Sequence, residues 1–308
     1  MKILKMLLVF LVLAQSYSQT WADGTLKLQK VTRDVYAIVG ELGNRTAANL
    51  GNNATFGFVV TTEGVVLIDS GGTYQGAQEI EQLIKTVTDK PVVKVINTGG
   101  QDHRWLGNGY FKRQGAQIIA SEDAVNDQKA RTQDQFIMLG NLVGNKGMES
   151  TDATYAEKTF KENLELELGE TIFKIHHVGQ AHTPGDSFIW LPREKVMFTG
   201  DIVYVDRMLG VGTQSNSKSW LSVYQSMAAN KPQYLIPGHG QATNLSQAKK
   251  DTYDYLVFLR QSVSEYMENG GDITDISSVD QSKFNYLLNY ETISGRNAQQ
   301  VYIEMEWE

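Results

Sequence analysis

The chain has five imidazoles: His103, His176, His177, His182 and His239. His182 lies in Gly179-Gln180-Ala181-His182-Thr183-Pro184-Gly185-Asp186, and His239 in Ile236-Pro237-Gly238-His239-Gly240. Asp201 closes Phe198-Thr199-Gly200-Asp201, again an apolar run followed by glycine. Imidazole and carboxylate are the ligands of a divalent metal, converging at about 2 Å from distant parts of a chain. Glycine beside each lets the backbone turn sharply and approach closely. One such residue is ordinary, but three at glycine turns behind apolar runs point to a metal site. His176 and His177 look like a pair, yet neighbours on a strand face opposite ways, so they read as structural. With no cysteine, disulfides, thiolate ligands and a cysteine nucleophile are all excluded.

A frame must position these groups. Alternating or apolar runs predict strands over residues 26–31, 35–39, 56–61 and 65–69. Ile80, Leu83, Ile84 and Val87 have helical spacing within residues 75–87. A strand over 92–97, a helix over 105–113 and a strand over 117–120 complete a βαβαβ alternation, which implies a mixed sheet. Residues 122–143 predict a helix running into a Gly/Asn-rich loop over 140–150. The second half repeats the pattern, with strands over 160–168, 171–178, 187–191, 195–199 and 234–236. Its helices are predicted over 218–229, 245–268 and 297–305. Two β-rich halves, each with helices, suit a four-layer αββα sandwich formed as one domain over residues 23–308.

The 308 residues include 41% hydrophobic and 20% charged, as in a globular protein with a sizeable core. A net charge of −7 argues against a nucleic-acid partner, which needs a basic face. Lys2 and Lys5 precede a short apolar run over 6–14, then small residues at Ser16, Ser18 and Ala22. This pattern predicts a secretory signal peptide over residues 1–22 and a periplasmic or secreted protein, off the membrane once cleaved.

Gly57-Phe58-Val59-Val60 and Gly64-Val65-Val66-Leu67-Ile68-Asp69-Ser70-Gly71 resemble the opening strands of the metallo-β-lactamase superfamily. His182-Thr183-Pro184-Gly185, Phe198-Thr199-Gly200-Asp201 and Pro237-Gly238-His239-Gly240 resemble its later motifs, in order. The resemblance implies the αββα sandwich, metal at the edge between two sheets, and hydrolysis of a small-molecule substrate. It places Asp69 outside the metal's immediate ligands; Asp186, for its part, reads as a supporting or capping group. The second motif departs from the family. Where the family has His-x-His-x-Asp-His after Asn-Thr, this chain has Gly99-Gly100-Gln101-Asp102-His103-Arg104 after Asn97-Thr98. Gly99 has no ligand atom, Gln101 offers a weak amide oxygen, His103 can still coordinate, and Arg104 repels a cation.

Three arrangements are therefore open. In the first, one metal is held by His103, Asp201 and His239, with His182 or Gln101 assisting and Arg104 replacing a second ion electrostatically. In the second, Gln101, His182 and Asp201 form one weak site while His103 and His239 assist another. In the third, no metal binds and the groups form a hydrogen-bonded network. Zinc, as one ion, is the expected cofactor, with two ions or iron as alternatives. Asp201 is the expected water-orienting group. Arg104 is expected either to hold a substrate anion or an oxyanion, or to pair with Asp102 or another buried carboxylate. Two other functions compete with hydrolysis: a non-catalytic binding protein that lost its metal, and an iron-dependent oxidase of a sulfur compound. The polar stretch Asn44 to Asn53 reads as an ordinary surface loop, with a loop overhanging the site as the alternative.

Overall fold

The computed structural model describes residues 25–308, so the expected signal peptide over 1–22 lies outside the described residues. Seven strands form the first sheet, in sequence order: β1 (Lys27–Lys30), β2 (Val35–Val39), β3 (Thr55–Thr61), β4 (Gly64–Ile68), β5 (Val92–Ile96), β6 (Gln117–Ser121) and β7 (Lys158–Phe160). β1 to β4 pair antiparallel, and β4 to β7 parallel. The second sheet contains β8 (Asn163–Leu168), β9 (Thr171–His176), β10 (Phe188–Leu191), β11 (Val196–Phe198) and β12 (Tyr234–Ile236), in the order β12-β11-β10-β9-β8.

The layers follow from period-two alternation on strands buried on both faces. Along β4, Val65 and Leu67 enter one apolar cluster and Val66 and Ile68 another. The first cluster packs under α1 (Tyr74–Lys85) through Ala77, Ile80 and Ile84. The second lies between the sheets, where Val66, Ile68 and Ile96 meet Phe173, Ile175, Ile189 and Phe198. On β11, Val196 and Phe198 face that inner layer, while Met197 faces out. Met197 lies under α5 (Ser217–Ala228), α7 (Asp254–Glu268) and α8 (Tyr290–Met305), which bring Trp220, Leu259 and Val301. This is the expected αββα sandwich. No helix among the described residues is long and apolar enough to cross a membrane.

Four local expectations are corrected. The helix expected over 105–113 is two, α2 (Asp102–Trp105) and α3 (Asn108–Arg113), so His103 and Arg104 are helical. The loop expected from residue 140 is mostly helix, because α4 (Glu122–Gly147) continues its buried face through Leu139, Val143 and Gly147. The break falls at Gly144, whose φ of +75° is left-handed. The long rod after residue 245 comprises α6 (Leu245–Ala248), a π-turn over Lys249–Tyr253, and α7. The last helix starts seven residues earlier than expected, at Tyr290.

Candidate metal centre

Three strand ends deliver the site. His103 follows β5 on α2, Asp201 lies in a 3-10 turn (Gly200–Ile202) after β11, and His239 follows β12. The turns pack too tightly for side chains. A Cβ at Gly200 would stand 2.2 Å from Thr98 Oγ1, and one at Gly238 would stand 2.4 Å from the Gly200 carbonyl. That closeness is what the glycines of both motifs supply. Trp220 Nε1 donates to the Ile202 carbonyl at 2.8 Å and fixes the Asp201 turn.

His103, Asp201 and His239 are each 2% exposed. One ligand atom from each lies within 4.8 Å of the other two. His103 Nε2 is 3.2 Å from Asp201 Oδ2, and His239 Nε2 is 3.2 Å from Asp201 Oδ1. Ligands about 2.0–2.1 Å from a tetrahedral zinc stand about 3.3–3.4 Å apart, close to each of these separations, which run to different oxygens of Asp201. The chemistry at His239 agrees. Its Nδ1 donates to the Asn53 carbonyl at 2.9 Å, which leaves Nε2 as a lone pair facing a carboxylate oxygen. Two acceptors in contact call for a cation between them, and a backbone carbonyl on the far nitrogen is how a metal-bound histidine is oriented. The Tyr204 ring stacks on His239 at 4.5 Å. Burial, and then Arg207, hold the His239 imidazole well below its usual range and keep it neutral.

Arg104 is 0% exposed and uses all five of its donors within the protein. Nε and Nη2 reach Asp201 Oδ2 and Oδ1 at 3.2 and 2.7 Å, and Nη2 also reaches the Gly238 carbonyl at 2.9 Å. Nη1 donates to the Thr55 carbonyl at 2.9 Å and to Asp69 Oδ2 at 3.0 Å. The expectation that Arg104 holds a substrate anion or an oxyanion is therefore corrected, since no donor is left for either. Its carboxylate partners are Asp201 and Asp69; Asp102 pairs with Arg45 instead. Burial alone would raise the Asp201 carboxyl, but Arg104 and His103 outweigh it and hold Asp201 well below the usual range. Asp69 sits outside the cluster, accepting from the Thr98 amide and hydroxyl at 2.7 and 2.8 Å.

His182 and Gln101 line the same cavity but stand outside the three-residue cluster. His182 Nδ1 donates to the Gly210 carbonyl at 3.0 Å, and its ring packs against Trp220 and Tyr204. Gln101 Oε1 accepts from Arg131 at 3.4 Å. The position of the family's first histidine is filled from elsewhere. A Cβ on Gly99 would come within 2.4 Å of Asp186 Oδ1, and Asp186 is itself tied to the Thr183 amide and hydroxyl. His176 and His177 lie away from the cluster, bonded to Asn163 and to the Asp186 carbonyl.

Four contributors escaped the sequence reading: Arg45, Asn53, Tyr204 and Arg207. Residues 44–53 are not a mere surface loop, because Arg45 and Asn53 reach the cavity. Arg45 Nη2 lies 2.7 Å from His103 Nδ1 and also pairs with buried Asp102. Asn49 builds this loop, accepting from the Thr46 and Gly51 amides and donating to the Asn44 carbonyl. One signal was available: Arg45 is the sole charged residue in 44–53.

A family profile described as Metallo-beta-lactamase superfamily matches residues 51–239. The metallo-beta-lactamase type 2 of Elizabethkingia meningoseptica is 25% identical over 190 residues, 59% of this chain and 67% of that protein. Its namesake from Bacteroides fragilis is 24% identical over 202 residues, 62% of this chain and 68% of that protein. Among solved structures, a metallo-beta-lactamase from Pontibacter korlensis superposes with a TM-score of 0.60 at 22% identity, covering 75% of this chain and 99% of its own. A double mutant of the sec-alkyl sulfatase PisA1 reaches 0.70 at 16% identity, over 91% of this chain and 50% of its own. The two sheets, the ordered motifs and a profile match over more than half its length agree: this chain belongs to the metallo-beta-lactamase superfamily.

Proposed function

We propose that this chain is an exported hydrolase dependent on a single metal ion, held by His103, Asp201 and His239, and that zinc is the ion. The observation that carries this reading is the His239 Nε2 lone pair set 3.2 Å from Asp201 Oδ1 in a buried cluster of three ligand atoms. A cation bound there supplies Lewis acidity, which brings the pKa of a water toward about 7 and polarises an acyl or phosphoryl oxygen. The protein's own groups do the positioning. Arg104 clamps both Asp201 oxygens, the Asn53 carbonyl fixes the His239 tautomer, and Tyr204 holds that ring in plane. The substrate class is an ester, lactone, amide or phosphoester of a small molecule. Export rests on the amino-terminal pattern of Lys2, Lys5 and the apolar run behind them.

One contact favours a second reading, a binding protein without metal. Arg45 donating to His103 Nδ1 holds the proton on Nε2, the atom that would ligate. Metal content separates the two. The mature protein, expressed from Asp23 without a histidine tag, is measured by elemental mass spectrometry beside His239→Ala. About one zinc per chain, lost in the variant, is expected. One iron would redirect the assays to sulfur oxidation. Two ions would overturn the single-ion site, and none after supplementation would overturn the hydrolase.

A further inference from the structure

We infer that Arg45 and Arg207 form a seat for an oxyanion in the cavity beside His103 and His239, so that the site takes an anionic small molecule. This deepens the hydrolase reading and rests on it for the word substrate; the seat itself does not need it.

The case begins with unused donors. Arg45 bonds through Nη2 alone, to Asp102 and His103, and Arg207 through Nη1 alone, to the Gly43 carbonyl at 3.3 Å; that Nη1 also lies 3.3 Å from His239 Nδ1, whose proton already goes to the Asn53 carbonyl. Among the described residues, the Nε of each is buried without a partner, and the second Nη of each has no protein acceptor. Arg104 shows the contrast in the same centre, with every donor matched to an acceptor.

Charge gives the same answer. No Asp or Glu lines the cavity, whereas both arginines do. The carboxylates nearby already have partners: Asp201 and Asp69 share Arg104, and Asp102 pairs with Arg45. Arg207 makes no ion pair among the described residues. An acceptor in the cavity would meet the unused donors of both guanidiniums. The planar fork of arginine matches the oxygens of carboxylate, sulfate or phosphate. The cavity is about 150 Å³. That admits an oxyanion and its neighbouring atoms but is well short of the roughly 300–1,000 Å³ typical of a site enclosing a whole ligand. The rest of the molecule would extend outside.

The test is calorimetric titration with inorganic sulfate, inorganic phosphate and acetate, at constant ionic strength in chloride. It uses the metal-loaded protein and the same protein stripped by chelator. Saturable binding of one anion per chain is expected in both forms. Arg207→Gln and Arg45→Gln should each weaken it by on the order of tenfold or more, and Arg207→Lys by less. Preference for sulfate and phosphate over acetate, or the reverse, decides between a tetrahedral and a planar group. No saturable binding by any of the three would overturn the inference, as would unchanged affinity in both glutamine variants with native circular dichroism. Binding lost only on stripping would place the anion on the metal, overturning the seat while supporting the metal reading. Binding intact in a protein that takes up no metal would keep the seat and sink the hydrolase.

Discussion

Buried between two carboxylates and two carbonyls, Arg104 neutralises charges that no solvent reaches. Removing it strands Asp69 and Asp201. Arg104→Leu is expected to lose about 3–5 kcal/mol in urea unfolding, the usual effect of breaking a buried ion pair from one side. A loss under 1 kcal/mol would mean that water enters freely. Asp186 makes a prediction about pH. Burial first, and Asp201 second, push its carboxyl up to about 7 from 3.8. The folded chain then keeps a proton that the unfolded chain releases inside that window. Asp186 therefore contributes most below pH about 4, and its contribution falls as pH rises to about 7. Asp186→Asn mimics the protonated form, still able to accept from the Thr183 amide. Urea midpoints of wild type and variant should diverge from pH 4 to 7 in the variant's favour. Parallel curves would assign the slope elsewhere.

At the scale of elements, α4 offers an internal control. Gly140 sits in ordinary helix where a Cβ would only touch Met148 Cγ at 3.9 Å, while Gly144 has a left-handed φ of +75°. Gly140→Ala should stabilise by about 0.4–1 kcal/mol, and Gly144→Ala should destabilise by about 1–2 kcal/mol, read from thermal melts. Most strands and helices were legible because alternation and 3.6-residue spacing are local properties of a sequence. The misplaced end of α4 has a physical cause: glycines and asparagines signal a loop, but Leu139 and Val143 bury against Trp105 and Leu106, a contact invisible to composition. The site was half legible for the same reason. Asp201 and His239 carry glycine turns beside them, as does His182, which falls outside the cluster, whereas His103 was marked only by its register in the second motif. Arg45 reaches His103 across 58 residues, and Arg207 reaches His239 across 32, with no local mark of either. The role of Arg104 turned on five acceptors scattered from Thr55 to Gly238.

For the whole molecule, a cation that binds only the folded chain raises its stability by mass action. At free zinc 100-fold above its dissociation constant the gain is about 2.7 kcal/mol. Chelation should lower the melting temperature of wild type and leave His239→Ala and Asp201→Ala unmoved; equal shifts in all three would point to binding elsewhere. The layout of the chain adds something further. Every strand of the first sheet lies before residue 161 and every strand of the second after residue 162. His103 and Arg104 belong to the first part, Asp201 and His239 to the second, and Thr55 bonds across to the Gly238 and Gly240 carbonyls. The centre is thus assembled from both parts and exists in neither. Cut at residues 161–162, the protein would become a two-piece system in which recovery of metal or anion binding reports that the pieces have rejoined.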